Sequence, residues 1–331
     1  MTEPTLDIIA IGNAIVDVIA RADDAFIEAE GIDKGSMRLV DTETAEGLYG
    51  RMAAGIEASG GSAANTVAGI AALGGKCAFI GQIADDQLGE VFAHDIRSLG
   101  VKFETAARAG DPPTARCLIL VTPDAQRTMN TFLGASQFLP AAALDRELIA
   151  SAAILYLEGY LWDPEQPRAA MRAAIDVARA AGRKVAFTLS DAFCISRHRD
   201  DFRALIDDGL LDILFANEGE ILSLNETEDF DAAVDATAAK VPLLVVTRSE
   251  QGAIAVKEGR RYAVPAEPID QIVDTTGAGD LFAAGFLAGQ AQGRSVTDSL
   301  TMGAVAAAEV ISHYGARPEA DLNALVAARL G

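Results

Sequence analysis

Short apolar runs and longer amphipathic stretches alternate along this chain. Runs rich in β-branched residues at Leu6–Ile11, Cys77–Gly81, Ile154–Leu157, Lys184–Leu189, Ile213–Ala216 and Leu243–Thr247 predict strands. Between them lie stretches of helical spacing with readable ends. Asp163-Pro164 opens one that stops near Gly182, and Asp85-Asp86 opens another that stops near Gly100. Ser295 and Asp298 have the spacing of a capping box. This alternation predicts an α/β fold with a mainly parallel central sheet flanked by helices. Two stretches break it: Val16–Val40 and Phe103–Phe132 hold short extended runs, Ser36–Val40 and Arg116–Val121, and few helical signals. The length of 331 residues admits one large α/β domain or two smaller ones. No repeat, low-complexity tract or linker interrupts it, so residues 1–331 are read as a single domain.

Half of the residues are hydrophobic, yet no uninterrupted apolar run reaches the ~20 residues that span a bilayer. The start, Met1-Thr2-Glu3-Pro4, lacks the basic and apolar regions of a signal peptide. A net charge of −21 argues against nucleic acid or an anionic membrane as a partner. Any phosphate site must then be built locally, from N–H groups, a metal and a few placed Arg or Lys side chains. Cys77, Cys117 and Cys194 are too scattered for a disulfide framework or a zinc site and suit a reducing cytoplasm. His94, His198 and His313 show no metal-ligand spacing.

Candidate chemistry concentrates at two glycine-rich helix starts. Residues 274 to 280 read Asp-Thr-Thr-Gly-Ala-Gly-Asp and run into an apolar helical stretch. Gly277, Ala278 and Gly279 can bare three consecutive N–H groups at a helix N-terminus, where unpaired donors and the helix dipole favour an anion. Asp280 is a poor ligand for that anion. Either it caps the helix, or it takes a proton from an attacking hydroxyl while the N–H groups hold a transferring phosphoryl group. Upstream, Gly60-Gly61-Ser62-Ala63-Ala64-Asn65 opens a second helix. Its glycines allow close approach to a ligand, or mark only a tight strand-to-helix turn. The Asn65 amide, both donor and acceptor, suits the hydroxyls of a sugar. A near-match to a phosphate-binding P-loop, Gly69 to Cys77, fails: Ile70 and Cys77 stand where glycine and a hydroxyl are required, and the segment ends a helix. No Gly-x-Gly-x-x-Gly follows the first strand, which disfavours a dinucleotide-binding dehydrogenase.

Three signatures in this order resemble the ribokinase (PfkB) family of sugar and nucleoside kinases: Gly-Gly-x-x-x-Asn at Gly60 to Asn65, Asn-x-x-Glu at Asn217 and Glu220, and Asp-Thr-x-Gly-Ala-Gly-Asp at Asp274 to Asp280. The segments Gly12 to Asp17, Phe187 to Ser190 and Asp212 to Glu218 are similar to the adenosine kinase branch, and the resemblance runs over nearly the whole chain. It implies a ribokinase-like fold in which the two irregular stretches, approximately 16–40 and 103–132, form a small β-sheet lid. It also implies Asp280 as the base and Gly277 to Gly279 as the anion hole for a γ-phosphoryl group.

The remaining roles follow from the same resemblance. Asn13 and Asp17 match a sugar-binding pair, and Asn217 with Glu220 would hold a water-coordinated Mg²⁺ beside ATP, the plainer alternative for the second pair being a strand-end cap with a solvated Glu. Arg127, in the expected lid, would come over the phosphates on closure. Tyr160 and Trp162 stand where adenosine kinases carry aromatic residues near the base, although core packing explains either ring equally well. Thr247 and Gly252 begin the loop expected to carry the adenine of ATP, and Ser249 departs from the usual glycine there. Asp274, Thr276, His313 and Gly315 match a monovalent-cation site, for K⁺, found in some relatives. The expected activity is ATP-dependent transfer to the 5′-hydroxyl of a ribonucleoside, adenosine before others, by a cytoplasmic monomer or homodimer. Another purine nucleoside or a free sugar such as ribose is the alternative acceptor. A nucleoside-binding regulator without catalysis is the alternative of another kind.

Overall fold

The computed structural model describes residues 3–124 and 126–331. Met1 and Thr2 of the acidic start, and Ala125 within the second expected lid segment, lie outside the described residues. In chain order the strands are β1 (Leu6–Ile11), β2 (Ile15–Arg21), β3 (Met37–Leu39), β4 (Ile56–Gly60), β5 (Cys77–Ile80), β6 (Lys102–Phe103), β7 (Ala115–Val121), β8 (Arg127–Phe132), β9 (Ala152–Glu158), β10 (Lys184–Thr188), β11 (Ile213–Asn217), β12 (Leu243–Thr247), β13 (Ala253–Lys257) and β14 (Arg260–Val264). Nine form a large sheet in the order β14-β13-β12-β11-β10-β9-β1-β5-β6, and five form a small sheet in the order β3-β8-β7-β2-β4. The large sheet is parallel from β6 to β12 and turns antiparallel only at the β12-β13-β14 edge. This is a ribokinase-like α/β fold.

The central strands are buried on both faces, as a parallel sheet covered by helices requires. Ile8 and Ala10 of β1 point into one apolar layer, Ile9 and Ile11 into the other. The first layer also holds the apolar sides of the helices Ser62–Ala72, Ala278–Ala291 and Val296–Val310. The second layer holds those of Glu165–Ala180 and Ala192–Asp207. Trp162, fully buried, belongs to this layer, edge-on to Phe187 and Phe202, with its indole N–H on Asp201. Of the two readings of this ring, its contacts are those of core packing.

Seven of the 48 acidic residues are used at helix starts. Asp23, Asp41, Asp86, Asp145, Asp191, Asp229 and Asp321 each cap a helix by accepting a backbone N–H. Each such cap contributes about 1 kcal/mol and sits at the positive end of a helix dipole. Ser295 caps Val296–Val310 through the Asp298 N–H, as its spacing predicts.

The small sheet corrects the expected lid in two places. Phe103 lies in β6 at the edge of the large sheet, and β4, outside both expected segments, completes the small one. The first segment also contains a short helix, Asp24–Ala29, capped by Asp23. Period-two alternation divides the small sheet's faces. Val16, Val18, Leu118 and Leu120 pack with Ile27 and Leu48 under the helices of that side, while Ile15, Cys117 and Ile119, joined by Met129, form a separate apolar patch on the opposite face. Asp17 and Arg127 share this second face by register, and Arg127 reaches from it to Asp274 and Thr276.

Candidate active site

The residues singled out by sequence gather where β1, β9, β11 and β12 end, at the carboxyl edge of the parallel sheet, where open α/β sheets bind ligands. The two glycine-rich helix starts stand side by side there. Gly69 of the helix Ser62–Ala72 lies directly against Leu281 and Ala284 of the helix Ala278–Ala291, so the two N-termini converge. The Ser62 hydroxyl donates to Asp280 Oδ1 at 2.6 Å, and the Asn65 amide donates to Oδ2 at 2.9 Å. Both bonds favour the charged carboxylate. Burial outweighs them and holds the Asp280 carboxyl above its usual range. Asn65 Oδ1 is buried and has no hydrogen-bond partner among the described residues.

Gly277 caps its helix with φ of 79°, and a Cβ there would meet Ala316 at 2.6 Å, so only glycine serves. One expectation changes: the Ala278 N–H turns back onto the Thr275 carbonyl at 3.2 Å, so the bare anion-receptive row is Gly277 and Gly279 without Ala278. Gly60 ends β4 against Asp17, whose carboxylate would lie 2.4 Å from an added Cβ. Gly61 then caps the helix that Ser62 begins. Burial raises the Asp17 carboxyl to about 6, against the opposing pull of Arg317 and Arg127.

Asn13 is buried, and its backbone N–H and side-chain amide both donate to Glu158 Oε1, at 2.7 and 2.8 Å. The Ala63 N–H donates to Glu158 Oε2 at 2.7 Å. Glu158 therefore ties the end of β1 to the start of the Ser62–Ala72 helix. Burial pushes its carboxyl up to about 7 despite three N–H donors. Sequence reasoning missed this residue; a lone acid at the end of an apolar strand run was the available signal. Tyr160 is more than one-third exposed, donates through its hydroxyl to the Ser190 carbonyl and has its own N–H on the Ser190 hydroxyl.

Arg127, expected in the lid, is tied to the residues that precede the second glycine-rich helix start. Its Nη1 lies 2.6 Å from Asp274 Oδ2 and 2.9 Å from the Thr276 hydroxyl, with the guanidinium 5.7 Å from the Tyr314 ring centre. Its Nε and Nη2 are buried without partners. Asp274 also accepts from the N–H groups of Thr276 and Gly315, each at 3.0 Å. Of the residues expected at a cation site, Asp274, Thr276 and Gly315 meet, and the Arg127 guanidinium pairs with the Asp274 carboxylate there. His313 turns away to Glu309 and the Tyr314 carbonyl.

On the other side of the cleft, Asn217 and Glu220 form a complete capping box on the helix Glu218–Asn225. The Glu220 carboxylate accepts the Asn217 N–H and amide at 2.9 and 2.7 Å, and burial raises its carboxyl to about 7. Among the described residues no group of three or more His, Cys, Asp or Glu is arranged to grip a metal directly. Thr247 ends β12 in register with Asn217, and Gly252 closes the following turn. Ser249 takes φ of 49°, the left-handed region that glycine adopts more readily.

A carboxylate on an anion-receptive helix start, beneath a small sheet that carries a second carboxylate, defines a phosphotransferase with an alcohol acceptor on a ribokinase-like fold. The chain belongs to the PfkB family of carbohydrate kinases, whose profile matches residues 32–322. It is similar to the crystal structure of adenosine kinase from Sinorhizobium meliloti, with 50% identity, 98% of this chain and 99% of that one covered, and a TM-score of 0.90. A probable sugar kinase from Rhizobium etli is 47% identical, with 99% and 98% covered and a TM-score of 0.91. Fructokinase-1 of Oryza sativa subsp. japonica is 31% identical over 244 residues, 70% of this chain and 73% of its own. Members of this family are sugar or nucleoside kinases that use ATP. Among the described residues no helix is long and apolar enough to cross a membrane.

Proposed function

We propose that this enzyme transfers the γ-phosphoryl group of ATP to the 5′-hydroxyl of a ribonucleoside, with adenosine the preferred acceptor. The observation that carries the reading is the composition of the small sheet's inner face. Asp17 stands beside Ile15, Cys117, Ile119 and Met129, a carboxylate for ribose hydroxyls next to an apolar wall for a flat base. A free hexose or pentose would present hydroxyls to that wall and leave them unpaired. The 50% identity to an adenosine kinase supports the same acceptor. Fructokinase-1, at 31% identity, supports the second reading, a free-sugar acceptor.

In this reading the Asp280 carboxylate takes the 5′-hydroxyl proton as the oxygen attacks the γ-phosphorus and ADP leaves. A carboxyl already held high by burial is the better proton acceptor. The Gly277 and Gly279 N–H groups receive the charge on the transferring group, and Arg127 offers its unpartnered Nε and Nη2 to the phosphates. Asp17 and the free Asn65 Oδ1 accept ribose hydroxyls, Asn13 braces them through Glu158, and Tyr160 borders the base. Thr247 and Gly252 border the adenine of ATP. Glu220, a buried carboxylate with no cationic partner among the described residues, would hold Mg²⁺ through its hydration water, and the ion would supply positive charge to the phosphates.

A panel of adenosine, guanosine, 2′-deoxyadenosine, ribose and fructose, each with ATP and Mg²⁺, tests the reading. Adenosine should give the highest kcat/KM, by about tenfold or more over either free sugar. Faster turnover of fructose or ribose would replace the nucleoside reading with the sugar one. No turnover of any acceptor would favour a regulator without catalysis.

A further inference from the structure

Arg317, which carries no sequence signature, sits two residues beyond Gly315 and reaches across to the turn between β4 and the Ser62–Ala72 helix. Its Nε and Nη2 donate to the Ser59 carbonyl at 3.1 and 2.7 Å, and Nη2 also donates to the Ser59 hydroxyl at 2.8 Å. Its Nη1 donates to the Ala64 carbonyl at 2.6 Å. One guanidinium thereby grips the Gly60-Gly61-Ser62 turn from both sides. Ser59 in turn gives its N–H and hydroxyl to Asp95. Among the described residues no carboxylate pairs directly with Arg317; Asp95, Asp17 and Asp280 act on it from a distance.

A half-buried cation held only on carbonyl and hydroxyl oxygens keeps much of its field for its surroundings, because no contact carboxylate cancels it. We infer that Arg317 is the positioning residue of the acceptor site, locking the glycine turn that delivers Ser62 and Asn65 to Asp280 and lending its charge to Asp280 and Asp17. The inference rests on the reading of Asp280 as the base. The groups facing Asp280 are Ser62 and Asn65 from one helix, Asp17 from β2, Tyr156 and Glu158 from β9, Tyr160 just beyond it, and Arg317. Arg317 is the cation that lowers the Asp280 carboxyl, and it heads the cations that lower Asp17.

The test is steady-state kinetics of the full chain with ATP, Mg²⁺ and adenosine from pH 5 to 9, for wild type, Arg317→Gln, Arg317→Lys and Asp280→Asn. Arg317→Gln should lower kcat about 10- to 100-fold, with the KM for ATP little changed. Its acid limb in log kcat/KM should move up by about one pH unit, because the charge that keeps the base ionised is gone. Arg317→Lys should restore the limb but only part of kcat, since the charge returns without the fork. An unmoved limb in Arg317→Gln, or a loss confined to melting temperature, overturns the inference. If Arg317→Gln does not fold, a displaced limb in Arg317→Lys overturns it instead. Full activity in Asp280→Asn would remove the base reading and the inference with it. An inactive Asp280→Asn beside an unaltered Arg317→Gln removes only the inference.

Discussion

The acceptor and nucleotide sides of the proposed site are built in opposite ways. On the acceptor side, Asp280, Asn65, Ser62, Glu158, Asn13 and Arg317 hold one another across long stretches of chain, and the bond between Ser62 and Asp280 joins residues 218 apart. On the nucleotide side, Asn217 and Glu220 satisfy each other three residues apart, and the Ser249 turn closes on itself through the Gly252 N–H and the Ser249 carbonyl. The first half is preorganised by tertiary contacts. The second is a set of self-sufficient local motifs. Damage should therefore spread through the acceptor half and stay confined in the other.

The largest effect should come from Asp280→Asn, which keeps size and polarity but removes the proton acceptor. We expect kcat to fall about 10²- to 10⁴-fold with both substrates still bound. Near-normal turnover in rapid-quench assays would take Asp280 out of the chemistry.

Asp17→Ala should weaken adenosine binding by roughly 1–3 kcal/mol while sparing ATP, because partner hydroxyls are left unpaired. The wild-type enzyme should likewise discriminate against 2′-deoxyadenosine. Calorimetric titration giving equal affinities for the two nucleosides would contradict the role of Asp17.

Stability should report the buried acids next. The Glu158 carboxyl is raised in the folded chain from its ordinary 4.5 to about 7, so the native state binds more protons than the unfolded state between those values. Its contribution to stability is full below pH 4.5 and is lost as pH rises through about 7. Asp17 and Glu220 act in the same direction. Urea unfolding should show stability declining from pH 5 to 8, and Glu158→Gln should remove about 1–2 kcal/mol of that decline. A variant with the wild-type slope would show that the decline originates elsewhere.

The smallest effect belongs to the nucleotide half. Ser249→Gly relieves a left-handed residue but frees the unfolded chain, so the two contributions nearly offset, and stability should change by no more than about 0.5 kcal/mol. The KM for ATP should stay within about twofold of wild type. A large change in either would show that this turn is coupled to the rest of the cleft after all.

The same contrast explains what the sequence made legible. Glycine-rich helix starts, the Asn217–Glu220 cap and the parallel strands are local patterns, and all are present in the fold. The β13-β14 hairpin escaped because Ile254, Val256 and the polar Arg260 and Arg261 alternate too weakly to separate it from loop. β4 escaped because its half-buried Ile56 to Gly60 run is short and polar. Glu158 and Arg317 were invisible for another reason: an isolated acid and an isolated arginine acquire meaning only from partners 145 and 258 residues away. Arg127 was legible as a residue but its ion pair with Asp274 was not, since that pair joins the small sheet to the far end of the chain.

The reach of Arg317 also sets when the enzyme becomes competent during its own synthesis. Ser59, Ala64 and Asn65 leave the ribosome early, whereas Asp280 and Arg317 emerge only near the end. The glycine turn gains its clamp, and Asn65 its acid, when the last helices dock, and such non-local contacts form late and slowly. A nascent or truncated chain ending before Arg317 can build most of the sheet while its acceptor site is still unassembled.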